Sequence, residues 1–225
     1  MLAIDRRAVL KAADATGWDL EGHIQRVYDT FRFRGVRPPA LVVRPGELRP
    51  AIHQSLMDWK ADLGARDRMD WPGFLAGHGR ILQPLATLPR LGLLDARAID
   101  EVCAVVARLE QFKATSGRAL VFGSKAAHFH FPGLVPVVSS EVAAGLQEIE
   151  RRHPDDIARL VAGTGRRFVF TNAANRQISY RNYVVLGNAL TAGLDSQAFF
   201  GRRSSARYDL HSKIFEWWVI GTGWA

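Results

Sequence analysis

The sequence predicts an all-α protein, and three observations carry that prediction. Apolar residues recur at the three- and four-residue spacing of a single helix face over most of the chain. Proline and glycine clusters interrupt this spacing where helices of ordinary length would end. Alternating apolar–polar runs are nearly missing, and Arg167-Phe168-Val169-Phe170 is the best strand candidate. The 225 residues suit one domain, with 1–112 and 113–225 as candidate subdomains, the first helical and the second helical and basic.

The elements follow in order. Residues 5–15 place Ala8, Val9, Ala12 and Ala13 on one helical stripe. Residues 21–33 repeat the pattern with Ile24, Val27, Tyr28 and Phe31, until Gly35 and Pro38-Pro39 end it. Residues 48–63 read as a helix through Ile52, Leu56 and Trp59. Residues 64–79, rich in Asp, Gly and Pro, read as a long loop, with short turns on to Leu94. Asp95 is an N-cap residue for a strong helix to about Phe112, whose stripe is Ile99, Val102, Cys103, Val106 and Leu109. Ser139 or Ser140 caps a helix through Glu150, Pro154 opens another to Gly163, and Thr171 caps a long helix to about Leu194. Residues 199–208 read as a basic loop, and 209–220 as a final helix rich in aromatic residues.

Composition narrows the function classes. The apolar fraction of 48% and charged fraction of 23% exclude disordered and fibrous chains. No apolar run reaches the roughly 20 residues needed to span a bilayer, and the N-terminus lacks the apolar core of a signal peptide. A cytoplasmic protein with no membrane partner is expected. Cys103 is the single cysteine, which excludes an internal disulfide, and in its apolar stripe it reads as an inert core residue. His128 and His130 are two residues apart, share no helix face and have no evident third ligand, so no metal is expected. Nothing calls for a cofactor; Gly163-Thr164-Gly165 lacks the lysine and spacing of a phosphate-binding loop.

The formal charge is +8, and residues 151–207 hold ten arginines against three aspartates. Such a segment suits a polyanion, of which nucleic acid is the commonest. Arg166, Arg167, Arg202 and Arg203 are candidate phosphate contacts. Asn175, Arg176, Tyr180 and Arg181, at the start of the long helix, suit base-edge hydrogen bonding and stacking. The plainer alternative for that run is a solvated helix face with half-buried tyrosines.

Residues 115–142 carry the chemistry. They read Gly123-Ser124-Lys125-Ala126-Ala127, then Pro132-Gly133-Leu134-Val135-Pro136, then Val137-Val138-Ser139 before a new helix. This resembles the core of the helix-hairpin-helix DNA glycosylase superfamily, over about 28 of the 225 residues. The resemblance implies a glycosylase-like helical fold and a protein that flips one modified or damaged base out of DNA and removes it, in repair or anti-phage defence. It implies a hairpin at Phe122-Gly123-Ser124, one glycine short of the usual pattern, whose exposed N–H groups hold a phosphate, with Arg118 alongside. It places Lys125 at the position of a nucleophilic lysine, which needs a lowered pKa, with His128 and His130 near enough to assist proton transfer. The superfamily has an essential Asp where this chain has Ser139. Glu141, another acid from the 67–70 loop, or Asp209 would have to replace it; otherwise the chain is a DNA-binding module or defence subunit without chemistry. By residue type alone, Gly123 also suits an ordinary helix C-cap and Ser139 a plain N-cap. A third class, an all-α protein binding another protein or a nucleotide through its basic half, needs no DNA.

Overall fold

The computed structural model describes residues 2–15, 28, 70–113, 119–161, 166–171, 173–200 and 209–224. The expected helices at 21–33 and 48–63 lie outside them, apart from Tyr28. Among the described residues the chain forms helices and no strand: α1 (Arg6–Ala15), α2 (Trp71–Leu82), a 3-10 turn (Gln83–Thr87), α3 (Ala96–Glu110), α4 (Ala119–His130), α5 (Ser140–Arg152), α6 (Pro154–Leu160), α7 (Ala173–Thr191), α8 (Ser196–Phe200) and α9 (His211–Gly223). None of the described helices is long and apolar enough to cross a membrane.

The last helix is the axis of the fold. Every residue of α9 from His211 to Gly221 is buried, the pattern of a helix packed on all sides. Helix α1 lies along it, so the chain's first and last helices meet; α5 crosses it as well, and α7 packs against it. The α5 crossing is close because Gly145 has no side chain: a Cβ there would sit 2.3 Å from the Val219 carbonyl oxygen.

Caps explain the elements read from sequence. The Asp95 carboxylate accepts from Ala98 N–H at 2.7 Å and starts α3. Cys103 is only half-buried beside the buried stripe of α3, and burial pushes its thiol up to about 12, so it is inert.

Three expectations are corrected. Residues 71–79 are helix, not loop: the Asp70 carboxylate accepts from Gly73 N–H at 2.9 Å, and Pro72 sits in the first turn, where its missing N–H costs nothing. Phe74, His78 and Leu82 then form the buried stripe of α2. Second, no hairpin falls at Phe122-Gly123-Ser124, because α4 runs through them unbroken. Gly123 serves packing: a Cβ there would lie 2.6 Å from the Val106 carbonyl oxygen of α3. Third, Phe199 and Phe200 belong to α8 rather than to a basic loop, while 201–208 lie outside the described residues.

Residues 167–169 are not a strand, and side chains supply their ladder. Glu150 accepts from Arg167 N–H, Asn182 donates to Arg167 C=O, Gln147 donates to Phe168 C=O, and the Ser179 hydroxyl serves both polar groups of Val169. The buried link between α4 and α5 is held the same way. His128 donates to Val135 C=O, Tyr180 to Pro136 C=O, Tyr183 to Val137 C=O and Ser212 to Pro132 C=O, and Val138 N–H donates to Ser124 Oγ. An irregular segment survives in a core only when its backbone groups are satisfied in this manner.

Candidate active site

Helices α4 and α9 bury the polar residues that matter. The chain has five lysines, and three of them, Lys113, Lys125 and Lys213, are 7%, 5% and 2% exposed. They form one electrostatic cluster: Lys125 feels the charges of Lys113, Lys213, Glu216 and Glu141. Glu216, at 5% exposure, is the only buried carboxylate among the described residues. Its Oε2 accepts from Lys213 Nζ at 2.9 Å, three residues back on the same helix. The Lys213 ammonium also lies 5.2 Å from the Trp217 ring centroid.

Burial lowers Lys125 to about 8; the negative charges of Glu216 and Glu141 oppose the drop, and Lys213 and Lys113 add to it. Burial also pushes Lys213 down, against the pull of Glu216. An amine near 8 is neutral in a useful fraction of molecules at neutral pH, which an arginine never is. Tyr28 and Tyr183 are raised well above the ordinary phenol, first by burial and then by Glu216, so both stay protonated.

His128 has no free nitrogen for proton transfer. Its Nδ1–H donates to Val135 C=O at 2.6 Å, and its Nε2 accepts from the Tyr28 hydroxyl at 2.8 Å. Burial, helped by the charge of Lys213, drops it to about 3. It is a neutral structural histidine, so the expected assistance to proton transfer is corrected. His130 lies 6.1 Å from the ring of His78, whose Nδ1 bonds Phe74 C=O. The described residues contain no group of three potential metal ligands.

The remaining expected site residues disperse. Ser139 caps α5, its hydroxyl accepting from Val142 N–H at 3.2 Å. Glu141 stands exposed in the first turn of α5; burial pushes its carboxyl up, but its own amide, Ser139, Ser140 and Lys125 hold it below the ordinary value. Asp70 is spent capping α2, and Asp209 pairs with Arg90 and His211. Gly123 and Ser124 are buried mid-helix and offer no exposed N–H to a phosphate. Tyr180 is fully buried with its hydroxyl on Pro136 C=O, so it presents no stacking face.

Most of the described arginines of 151–207 answer carboxylates of their own chain. Arg151 and Arg152 pair with Glu148, Arg159 with Asp156, Arg167 with Glu150, Arg176 with Glu110 and Arg181 with Asp100. Arg166 and Asn175 are exposed. Arg118, Arg202 and Arg203 lie outside the described residues.

Sequence reasoning missed Glu216 and Lys213. The signal was there: Lys213-x-x-Glu216 puts two opposite charges one turn apart in a helix otherwise apolar. No family model, curated protein or solved structure matches the chain significantly.

Proposed function

We propose that this protein is a DNA glycosylase-like enzyme in which the Lys125 amine attacks C1′ of a flipped, modified or damaged nucleoside. The observation that carries the reading is Lys125 itself: a lysine 5% exposed, lowered to about 8, at the position where the resemblance calls for a nucleophile. The neutral amine's lone pair forms the N–C1′ bond as the C1′–base bond breaks. The leaving electron pair departs on the base, which takes a proton from solvent, and the new ammonium loses one proton. The C1′–O4′ bond then opens, its electron pair and a proton going to O4′, and a protonated imine remains on Lys125. Glu141, held ionised at the mouth of α5, suits electrostatic support of the positive charge that develops on the sugar. Among the described residues, Arg166 and Asn175 are exposed groups suited to phosphate and base-edge contact.

A second reading, DNA binding without chemistry, is favoured by one observation. Ser139 carries no charge, and its hydroxyl is engaged as a helix cap. One experiment separates the two. Purified protein is incubated with modified, damaged and unmodified duplexes, with and without borohydride, and scored for free base and for a covalent protein–DNA band. Base release with a trapped band supports the enzyme; tight binding with neither supports the binding module.

A further inference from the structure

We propose that the groove between α3 and α7 docks a second copy of this chain. The two-fold axis runs along the groove, so that the α7 of each copy lies over the α3 of the other. The inference stands apart from the glycosylase-like reading, because none of its residues has a part in that chemistry.

Three observations carry it. The first is the groove. Cys103, Ala104 and Ala107 of α3 and Gln177, Ile178 and Arg181 of α7 line a space of about 280 Å³. That is slightly below the range of pockets that enclose a small molecule, and it suits an inserted side chain. Ala104 and Ala107 are one helical turn apart and too short to fill it. The second is Ile178 itself. It lines the groove yet is 61% exposed, the most exposed large apolar side chain among the described residues. A knob beside a hole that fits it is the pattern of a surface that pairs with its own copy. The third is charge. Gln177 donates to Glu110 at 2.6 Å and Arg181 to Asp100 at 2.7 Å. As α7 numbers rise the α3 numbers fall, so the two helices are antiparallel and these bonds close the two ends of the groove. The side chains of Arg181 and Asp100 are still 41% and 60% exposed, so a second ion can reach each. Rotation about an axis along the groove keeps every residue's level and exchanges the helices. Arg181 then lies over the partner's Asp100, four charges alternate in sign, and Ile178 comes over the alanine floor of the other copy. Each helix gains an antiparallel neighbour, as in a four-helix bundle. The apolar contact drives association, and the charges set partner and register rather than affinity.

The test is the mass of the whole chain in solution, by analytical ultracentrifugation from about 1 to 200 µM. The wild type should pass from monomer to dimer over that range. Ile178→Glu changes an exposed side chain and should leave the thermal melt of the monomer unaltered, while weakening dimerisation about tenfold or more. The charge variants test the register. Asp100→Arg puts four basic groups at the contact and Arg181→Asp puts four acidic ones there, so each alone should be monomeric. Mixed in equal amounts, the two variants restore alternating charges and should form a heterodimer. A folding defect cannot produce that rescue. A wild type that stays monomeric at every concentration overturns the proposal and leaves the groove to a different partner. So does a wild-type dimer that Ile178→Glu leaves intact, which places the contact on another face, and so does a mixture of the charge variants that stays monomeric.

Discussion

The arginines of the C-terminal half and the lysines of the core illustrate opposite uses of positive charge. Outside, Arg151, Arg152, Arg159, Arg167, Arg176 and Arg181 each meet a carboxylate, five of them through Glu148, Glu150, Glu110 and Asp100, which lie before the basic window begins. A charge count over 151–207 sees the cations and misses most of their partners, so the excess of arginine there overstates the field that a phosphate would feel. Inside, Lys113, Lys125 and Lys213 share a cluster with one buried carboxylate. Paired surface arginines keep their charge at any physiological pH, whereas burial lowers the amines of Lys125 and Lys213 towards the neutral form. The comparison separates electrostatics that hold helices together from electrostatics that can do chemistry.

The largest expected effect breaks the inner half of the comparison. Lys125→Ala should abolish the borohydride-trapped adduct and slow base release about 100-fold or more. Lys125→Arg should do the same, because a guanidinium cannot become a neutral nucleophile. Full base release by either variant would show that Lys125 is a structural lysine and that any glycosylase activity is hydrolytic.

Acid should affect the inner cluster next. His128 is held near 3, far below its ordinary value of 6.5, so the unfolded chain binds a proton that the folded chain refuses. Its contribution is fully present above about pH 6.5 and is lost as pH falls towards 3. Thermal unfolding followed from pH 7 downwards should show stability dropping through that window.

These inner features were the least legible from sequence. Asp95 and Ser139 announce their helices because an N-cap is a local signal, and both cap as expected. Helix α2 was hidden because Pro72 and Gly73 look like breakers, although a proline in the first turn marks a start. Gly123 looks like a turn, but its reason is the Val106 carbonyl of another helix, a contact that no local pattern encodes. Glu216 was lost among aromatic residues, and its meaning depends on Lys125, 91 positions away in the chain. What could be read was each residue's preference for a local environment; what could not was which helices meet.

The stability cost of the buried amine sharpens the same contrast. Lys125 is lowered from 10.5 to about 8, so it destabilises the fold at neutral pH, and that penalty is relieved as pH rises from 8 to 10.5. Lys125→Met should stabilise the protein by up to about 3 kcal/mol at pH 7, with the gain shrinking above pH 8. Denaturant unfolding at pH 7 and at pH 10 measures both. A variant less stable than wild type at both would mean that Lys125 holds the core together.

The outer half makes a smaller prediction. If duplex DNA binds, Arg166→Gln should reduce the slope of log affinity against log salt by about one, because each lost phosphate contact releases one counterion fewer. Arg181→Gln should leave the slope unchanged, because Arg181 already answers Asp100 at 2.7 Å. Equal slopes for the two variants would erase the distinction between paired and available arginines.

The smallest effect comes from the position where the resemblance fails. Ser139 accepts from Val142 N–H, and Asp caps a helix as well as Ser does, so Ser139→Asp should change stability by no more than a few tenths of a kcal/mol. Its value lies in what happens to base release. An aspartate at the start of α5 adds a carboxylate beside Glu141, on the same helix turn that already acts on Lys125. If Glu141 does the work of the absent aspartate, the wild type already has the carboxylate it needs, and Ser139→Asp leaves its rate alone. In a Glu141→Gln background the same substitution should then recover part of the lost activity, because it returns a carboxylate to the start of α5. A rate that rises in Ser139→Asp alone would locate the missing acid at position 139 and leave Glu141 without that role.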